Sequence, residues 1–399
     1  MRVFIAGIDG YLGWPLAQYL AARGHEVAGA DKFLRRGWVE EVGGQSALPI
    51  YSMDERLQAF HEHFGMPVLF REGDLLDYAF LRQFLADFQP DAIVHLAEMP
   101  SAAYSMIDQS HAAFTQQNNV IGSMNVLWAM REVCPTAHLV KLGTMGEYGT
   151  PNIDIPEGFF EVEFRGRKDY LPFPRQAGSF YHWSKVHDSN NIMFACNLWG
   201  LRATDIMQGV VFGTQINEMG DDPRLCSRLD FDQCFGTVIN RFCCQAVIDH
   251  PLTVFGSGGQ TRGFLPLRDS MQCLAITIEN TPEQGEYRVF NQFEECYSIA
   301  GLAEQVQQVS AELGLHVQVN HLDNPREERE EHYYRPDRNH LIELGYIPTS
   351  DLKAELRTML RDLMPQRERI QARSAVLIPD IRWNGQRERS NIIDPALIT

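Results

Sequence analysis

The sequence predicts an α/β fold with a doubly wound parallel sheet, followed by a smaller mixed α/β lobe. Strand-like runs alternate with helix-like runs from residue 2 onward, and a glycine-rich turn follows the first of them. A chain of 399 residues with 44% hydrophobic content is also too long for one small compact domain. We expect residues 1–213 to form the sheet domain, with some later segments returning to it, and residues 214–399 to form mainly the second lobe and a tail.

The first unit reads as strand, glycine-rich turn, helix and strand. The strands are Arg2 to Ala6 and Glu26 to Ala30, and the helix runs from Leu12 to Arg23. In such a turn the first glycine permits the bend, the second lets a pyrophosphate approach, and the third lets helix pack on strand. Asp31 then stands where a carboxylate accepts hydrogen bonds from an adenosine ribose. The unit therefore predicts a Rossmann-type site for NAD rather than NADP, because Asp31 repels a 2′-phosphate.

The later segments repeat the alternation. Strands are predicted at 68–70, 92–96 and 138–142, and a helix at 77–88, which implies a parallel sheet covered on both faces. The irregular stretch 32–66 predicts an insertion over the cofactor edge, with a short helix around 54–64. Ligands bind at the carboxyl ends of such strands, so we expect a site at residues 96–101 and 142–149.

We expect the dinucleotide to contact the turn and these strand ends. The candidate cofactor-binding residues are Gly7, Gly10, Tyr11, Leu12, Gly13, Asp31, Arg35, Arg36, Asp74, Leu75, Leu96, Asn119, Tyr181, Lys185 and Gln208. For Arg35 and Arg36 two interpretations stay open, cofactor contact or a solvated pair on a loop.

Tyr181 and Lys185 are four residues apart in a helix-like segment, which places both on one face. A nearby ammonium lowers the pKa of a phenol, so that the phenolate can act as a base near neutral pH. Thr144 can hydrogen-bond the same substrate oxygen, and the Glu147 carboxylate can reach the neighbouring carbons. The alternatives are a surface helix pair and a loop carboxylate paired to a base. We expect removal of a hydroxyl proton while the carbon gives its hydride to the nicotinamide.

Composition excludes other classes. A net charge of −17 argues against nucleic-acid and membrane-surface binding. The eight cysteines form no CxxC pair, so we expect reduced thiols in a cytoplasmic setting. The chain opens on a strand without signal-peptide features, and no apolar run reaches about 18 residues, so export and membrane insertion are not expected. His61 and His63 lack partners, and no metal site is predicted.

Long motifs carry a family resemblance that extends to about Leu344. They are Tyr104 to Asp108, Asn118 to Gly122, Val140 to Ile155, Ser179 to Ser189, Gly258 to Gly263, and Glu330 to Tyr334. With them the chain resembles the extended short-chain dehydrogenases/reductases of the NAD-dependent epimerase/dehydratase type. Within these it is similar to the branch that forms sulfoquinovose.

That resemblance implies tightly bound, recycled NAD, a UDP-glucose or related UDP-hexose substrate, sulfite as nucleophile, and a homodimer. The sugar is oxidised at C4, loses its C6 hydroxyl, takes up sulfite at C6 and is reduced again at C4. Tyr181 is then the C4 base, Lys185 tunes it and holds the nicotinamide ribose, and Thr144 orients O4. Glu147 moves protons at C5 or C6, and His182 lies where water leaves and the nucleophile enters. For His182, packing beside the base is the alternative.

The substrate-binding candidates surround this centre and continue into the second lobe. They are Glu98, Ser101, Thr144, Met145, Gln208, Val254, Phe255, Gln260, Arg262 and Arg326. We expect uracil against Phe255, and the diphosphate at Gln260, Arg262 and Arg326, with buried charge pairing as the alternative for each arginine. Arg241 is expected to form a lobe-to-lobe pair instead.

Some positions depart from that branch. Met99-Pro100 replaces Gln-Arg, Met207 replaces Asn and Pro266 replaces Asp, which makes the surroundings of C6 less polar. An arginine suits sulfite because its fork matches an oxyanion. Two alternatives therefore stay open: a dehydratase or epimerase that shares only the early steps, and a dinucleotide-binding regulator without turnover. Ordinary 4,6-dehydratases carry Asp-Glu where Met145-Gly146 stands here, so their proton return to C6 is not favoured.

Overall fold

The computed structural model describes residues 1–326, 332–349 and 351–383. Glu330 and Glu331 of the last motif, and the tail from residue 384, lie outside these ranges. The strands are β1 (Arg2–Ala6), β2 (Glu26–Asp31), β3 (Leu69–Glu72), β4 (Ala92–His95), β5 (His138–Leu142), β6 (Phe159–Phe164), β7 (Arg167–Pro172), β8 (Arg202–Gln208), β9 (Val210–Phe212), β10 (Leu252–Phe255), β11 (Thr261–Pro266), β12 (Tyr287–Gln292), β13 (Glu295–Ser298) and β14 (Val319–Leu322). The helices are α1 (Gly13–Ala21), α2 (Leu34–Glu41), α3 (Met53–Phe64), α4 (Tyr78–Phe88), α5 (Gln109–Gln116), α6 (Gly122–Val133), α7 (Phe180–Trp199), α8 (Val238–Val247), α9 (Leu267–Glu279), α10 (Ile299–Glu312), α11 (Asn339–Glu343), α12 (Leu352–Leu363) and α13 (Arg367–Gln371).

Within the described residues, seven strands form one sheet in the order β3-β2-β1-β4-β5-β8-β12. Each neighbouring pair in it is parallel. The strand order reverses between β1 and β4, which is where ligand sites lie in sheets of this type. The predicted doubly wound parallel sheet is confirmed.

Apolar side chains on both faces of this sheet explain why it is buried. On one face, Trp14 and Leu20 of α1 pack with residues of α9 against the first strands. On the other, Phe84 of α4 meets Phe4 of β1 at a ring-centroid distance of 5.1 Å, within a cluster that includes α6. Strands that are apolar along nearly their whole length suit a sheet covered twice.

The second lobe has a core of its own. Helices α8, α10 and α12 contribute Phe242, Val306 and Leu356 to it, all fully buried. The short parallel pair of β10 and β14 joins them, and β9, β11 and β13 form a three-stranded sheet. Ala47 and Leu48 also pack in this core. The chain segment between β2 and β3 therefore connects the sheet domain to the lobe.

Helix α2 and the hairpin of β6 and β7 are among the elements that the sequence did not predict. Helix α2 begins after Phe33, whose φ of 59° lies in the left-handed region. Strands β6 and β7 form an antiparallel hairpin joined by Arg165 and Gly166, with φ angles of 53° and 73°. Two successive positive φ angles define the turn that matches the twist of a hairpin, and arginine at the first position hides that signal.

Among the described helices, none combines the length with the apolar character that a membrane span requires.

Candidate active site

One continuous cavity of about 560 Å³ begins at the glycine-rich turn, passes the carboxyl ends of β4, β5 and β8, and reaches the second lobe. Most predicted site residues line it: Gly7, Gly10, Tyr11, Leu12, Gly13, Asp31, Arg35, Asp74, Leu75, Leu96, Glu98, Ser101, Thr144, Met145, Tyr181, His182, Lys185, Gln208, Phe255, Gln260, Arg262 and Arg326. Arg36, Asn119, Glu147 and Val254 do not line it.

The glycine-rich turn fits a dinucleotide. Gly7 has a φ of 84°, and a Cβ there would stand 2.8 Å from the carbonyl carbon of Leu96. A Cβ on Gly13 would stand 2.3 Å from the carbonyl oxygen of Gly7. No side chain caps the N-terminus of α1. The Trp14 N–H donates to the Gly10 carbonyl at 3.4 Å and Pro15 has no N–H, so the N–H groups of Leu12 and Gly13 are left for an anion. The cradle therefore requires glycine and has the polarity that a pyrophosphate needs.

Asp31 ends β2 at this cradle. Its carboxylate accepts hydrogen bonds from the backbone N–H groups of Phe33 at 2.7 Å and Asp9 at 2.9 Å. Burial, together with the charge of Asp9, raises the pKa of Asp31 to about 6. The two backbone donors fix the carboxylate at the cavity wall, where it can accept from a ribose.

The two arginines after β2 take different positions. Arg36 donates two hydrogen bonds to the Asp9 carboxylate, at 2.8 and 2.7 Å, and lies outside the cavity wall. Arg35 lines the cavity, donates to Asp230 at 2.9 Å and lies 4.0 Å from the ring centroid of Phe235. Neither is a solvated loop residue. The expected cofactor contact of Arg36 does not fit this placement, because Asp9 holds its guanidinium.

Asn119 is buried behind the cavity wall and does not line the cavity. It lies in a π-helical turn, Gln117–Ile121, between α5 and α6. Its amide accepts from the Met99 N–H at 2.8 Å and donates to the Met99 carbonyl at 3.1 Å and to Ser184 Oγ at 2.8 Å. The expected cofactor contact is therefore replaced by a link between the β4 loop and α7. Val254 is also buried behind the wall, in the core of the second lobe.

Helix α7 brings Tyr181 and Lys185 to the cavity. Lys185 Nζ donates to the Leu142 carbonyl at 2.7 Å and contacts the Glu98 carboxylate. Burial lowers the pKa of Lys185 to about 8. Burial also raises the pKa of Tyr181 above its usual value, and the Glu147 charge adds to this. Lys185 lies 6.0 Å from the Tyr181 ring centroid and is paired with Glu98, so the lowering of that phenol's pKa by Lys185 stays a prediction.

Glu147 lies beneath the cavity and not in its wall. It is fully buried, and its carboxylate meets Lys141 Nζ at 3.2 Å and Arg175 Nη1 at 3.0 Å. It also accepts from the Thr144 N–H at 3.3 Å, closing the short turn Met145–Glu147. The expected role in moving protons at C5 or C6 does not fit this placement. The alternative, a loop carboxylate paired to a base, does.

His182 occupies the space that Gly146 leaves. A Cβ on Gly146 would stand 2.4 Å from His182 Nε2. On the other side of the ring, Nδ1 lies 3.0 Å from Ser179 Oγ, at the start of α7. Burial lowers the pKa of His182 to about 3, and the charges of Arg326 and Arg262 contribute. A neutral imidazole therefore lines the cavity beside Thr144 and Tyr181.

The lobe end of the cavity contains an arginine that was misassigned from the sequence. Arg241 of α8 lines the cavity, and its guanidinium carbon lies 4.7 Å from the ring centroid of Phe255. It donates to the Thr253 carbonyl at 3.2 Å, and its Nε has no hydrogen-bond partner among the described residues. It is therefore no lobe-to-lobe pair but a third cationic group at the end where Arg262 and Arg326 lie. The position of Arg241 as the one charged residue of α8 was the available signal.

The departures from the sulfoquinovose-forming branch mostly lie outside the cavity. Met99 is fully buried in a cluster with Tyr104 and Phe235. Met207 is also fully buried, and its sulfur accepts from Arg175 Nη1 at 3.4 Å. Pro266 is buried as well and precedes α9. Only Pro100 lines the cavity, so the expected loss of polar groups around the sugar reduces to that position.

The site combines the glycine-rich cradle with Asp31, Tyr181 and Lys185. Together these features define a Rossmann enzyme that uses a nicotinamide dinucleotide on a hydroxyl group. The chain belongs to the NAD dependent epimerase/dehydratase family, whose sequence profile matches residues 3–291. It is 48% identical over 384 residues to the UDP-sulfoquinovose synthase of Sulfolobus acidocaldarius, which covers 96% of this chain and 98% of that protein. It is 47% identical over 382 residues to the chloroplastic UDP-sulfoquinovose synthase of Spinacia oleracea, covering 96% and 79%. The family resemblance and NAD as cofactor are confirmed.

Solved structures agree on the fold. A UDP-glucuronic acid 4-epimerase from Bacillus cereus, in complex with UDP-glucuronic acid and NAD, superposes with a TM-score of 0.69 at 19% identity, covering 92% of this chain and 99% of that one. A UDP-glucose 4-epimerase from Thermotoga maritima with UDP-glucose gives a TM-score of 0.68 at 17% identity, with the same coverage. At this identity the likeness concerns the fold alone.

Replacing Gly7 by alanine is expected to weaken NAD binding by roughly tenfold or more, since a loss of about 1.4 kcal/mol suffices. The added Cβ meets the Leu96 backbone at a positive φ. Gly24→Ala is the matched control, because Gly24 has a φ of 79° and open space around it. Calorimetric titration with NAD checks both variants. An equal loss of NAD affinity in both variants, or no loss in Gly7→Ala, would contradict the assignment of this turn as the dinucleotide cradle.

Replacing Glu147 by glutamine is expected to lower the free energy of unfolding by roughly 3 kcal/mol or more, because buried Lys141 loses a partner. Glu161→Gln is the control, since Glu161 pairs with Lys168 at 2.7 Å on the exposed hairpin and is expected to change nothing measurable. Urea unfolding compares the two. Unchanged stability with an altered pH profile of turnover would restore the direct proton role of Glu147.

Proposed function

We propose that this chain converts UDP-glucose and sulfite into UDP-sulfoquinovose, with water as the second product. Identity along nearly the whole chain to two proteins named UDP-sulfoquinovose synthase carries the proposal. The cavity supports it, because one continuous space joins the dinucleotide cradle to a tyrosine, a neutral histidine and an arginine-rich end. The two alternatives, a dehydratase or epimerase and a regulator without turnover, gain no support from these relatives.

The first step is oxidation at C4. Thr144 holds O4, and Tyr181 takes the O4 proton as the hydride leaves C4, which gives a 4-ketone. NAD, when bound, accepts that hydride and supplies it again at the end. Lys185 carries its charge below about pH 8 and would hold the nicotinamide ribose, with Glu98 keeping it in place. To act as this base the Tyr181 phenol must first release its own proton to solvent, and the positive charges of Lys185 and of a bound oxidised nicotinamide would favour that phenolate.

The middle steps take place at C5 and C6. The ketone acidifies the C5 hydrogen. His182 lines the cavity and would accept that proton once the substrate diphosphate offsets the Arg262 and Arg326 charges that help to lower the pKa of the imidazole. Passing the proton to the C6 hydroxyl releases water and leaves a 4-keto-5,6-ene. The sulfur of hydrogen sulfite then adds to C6, and the proton that hydrogen sulfite releases passes through His182 to C5. Return of the hydride to C4 and of the proton to O4 completes the exchange of hydroxyl for sulfonate.

The sulfite step needs a cationic surrounding, and Pro100 does not supply one. Elsewhere the cavity is lined by four arginines, namely Arg35, Arg241, Arg262 and Arg326. An anion can therefore be attracted by the summed charge of the cavity without the arginine of the β4 loop. This supports sulfite entry at a site where Pro100 stands in place of an arginine.

We also propose a homodimer formed through α6 and α7. Trp128 of α6 is 39% exposed, and Phe194 and Leu198 of α7 are 62% and 56% exposed. Exposed large apolar side chains on two helices suit a self-complementary interface. Sedimentation of the purified protein as a monomer at micromolar concentration would exclude it. The eight cysteines, all free, support a reducing, cytoplasmic setting.

Incubating the purified protein with UDP-glucose, with and without sulfite, and analysing the products by mass spectrometry tests the proposal. We expect a sulfonated UDP-hexose only when sulfite is present. Tyr181→Phe should lower its formation by roughly 100-fold or more, because the general base is removed. A dehydrated or epimerised UDP-sugar with no sulfonated product would support the alternative enzyme. No conversion of any UDP-hexose would support the regulator.

A further inference from the structure

A short strap, residues 379–383, crosses from the core of the second lobe to the mouth of the cavity. It follows a turn, Ser374–Leu377, in which Leu377 is completely buried in the lobe core. Because that anchor fixes the start of the strap, the residues after it are carried to the cavity rather than into solvent.

Two wall segments hold the strap. The Gln233 side-chain oxygen accepts hydrogen bonds from the backbone N–H groups of Asp380 at 2.9 Å and Ile381 at 3.2 Å. The backbone N–H of Trp383 donates to the Pro325 carbonyl at 2.8 Å. Residues 234–237, directly after Gln233, line the cavity, and so does Arg326, directly after Pro325. The strap therefore ties together two segments that contribute to the same site.

The indole of Trp383 is itself part of the cavity wall. The Arg326 guanidinium carbon lies 5.7 Å from the Trp383 ring centroid and 5.9 Å from that of Phe255. Arg326 thus lies near two aromatic rings, and Arg241 lies 4.7 Å from the centroid of one of them, Phe255. Aromatic faces beside arginines suit a ligand that joins a flat base to a diphosphate.

We propose that Trp383 is a nucleotide-binding residue and that the strap makes binding of a pyrimidine nucleoside diphosphate depend on it. The inference rests on the proposed function, since it assigns Trp383 to the UDP end of the same substrate. Trp383 supplies a second aromatic wall beside Arg326 and holds that guanidinium toward the diphosphate. The reacting end of the cavity, with Tyr181 and His182, is left unchanged.

Calorimetric titration of the full chain with UDP tests this assignment. Trp383→Ala is expected to raise the dissociation constant for UDP by roughly tenfold or more, the scale of a lost base–aromatic contact. Trp383→Phe should retain most of the affinity. Ile378→Ala is the matched control, because Ile378 precedes the strap, is 54% exposed and does not line the cavity. Binding of NAD should be equal in all four proteins.

A second variant checks the strap independently of the ring. Gln233→Ala removes the acceptor for two strap N–H groups and should also weaken UDP binding while leaving NAD binding unchanged. If the parent chain binds UDP and Trp383→Ala binds it with the same affinity, this inference is overturned while the proposed function is not. Loss of UDP and NAD binding together in Trp383→Ala would also overturn it, because it would mark a general fold defect. Failure of the parent chain to bind UDP would count against the proposed function itself.

Discussion

The buried ammonium of Lys141, shared by two carboxylates beneath the end of β5, is the interaction on which the active site depends. Lys141 Nζ lies 3.2 Å from both Glu147 and Asp205, and all three side chains are fully buried. Burial alone lowers the pKa of Lys141, but the charges of Asp205 and Glu147 outweigh it and the pKa is raised. Arg175 completes a set of two cations and two carboxylates. Such a set adds little net stability, but it fixes one geometry for the turn above it.

That turn determines what can stand in the cavity. Glu147 closes the turn by accepting from the Thr144 N–H, and this fixes Thr144 in the wall of the cavity that Tyr181 also lines. Gly146, in the middle of the turn, has no side chain, and His182 packs against it. A carboxylate at that position would need the space of the imidazole. We therefore propose that a histidine from α7, instead of an acid from the β5 turn, moves protons at C5 and C6.

Sequence patterns predicted the sheet well because its signals are local. Apolar runs and glycine spacing are written along the chain, and β1 and β5 match their predicted bounds. The site was harder, because side-chain direction and charge pairing arise from distant segments. Glu147 has a catalytic spacing from Thr144, yet Lys141 and Arg175 hold it below the wall. Trp383 lies more than 100 residues from α8 in sequence, and only the fold of the second lobe brings it to the cavity.

The proposed reaction requires a hydride that leaves C4 of the sugar and returns to it within one cavity. The most direct test uses UDP-glucose deuterated at C4, together with sulfite and unlabelled NAD, with the sulfonated product analysed by mass spectrometry and NMR. We expect the product to keep the deuterium at C4. Loss of the label to solvent, or its appearance in free NADH, would contradict a hydride that is borrowed and returned.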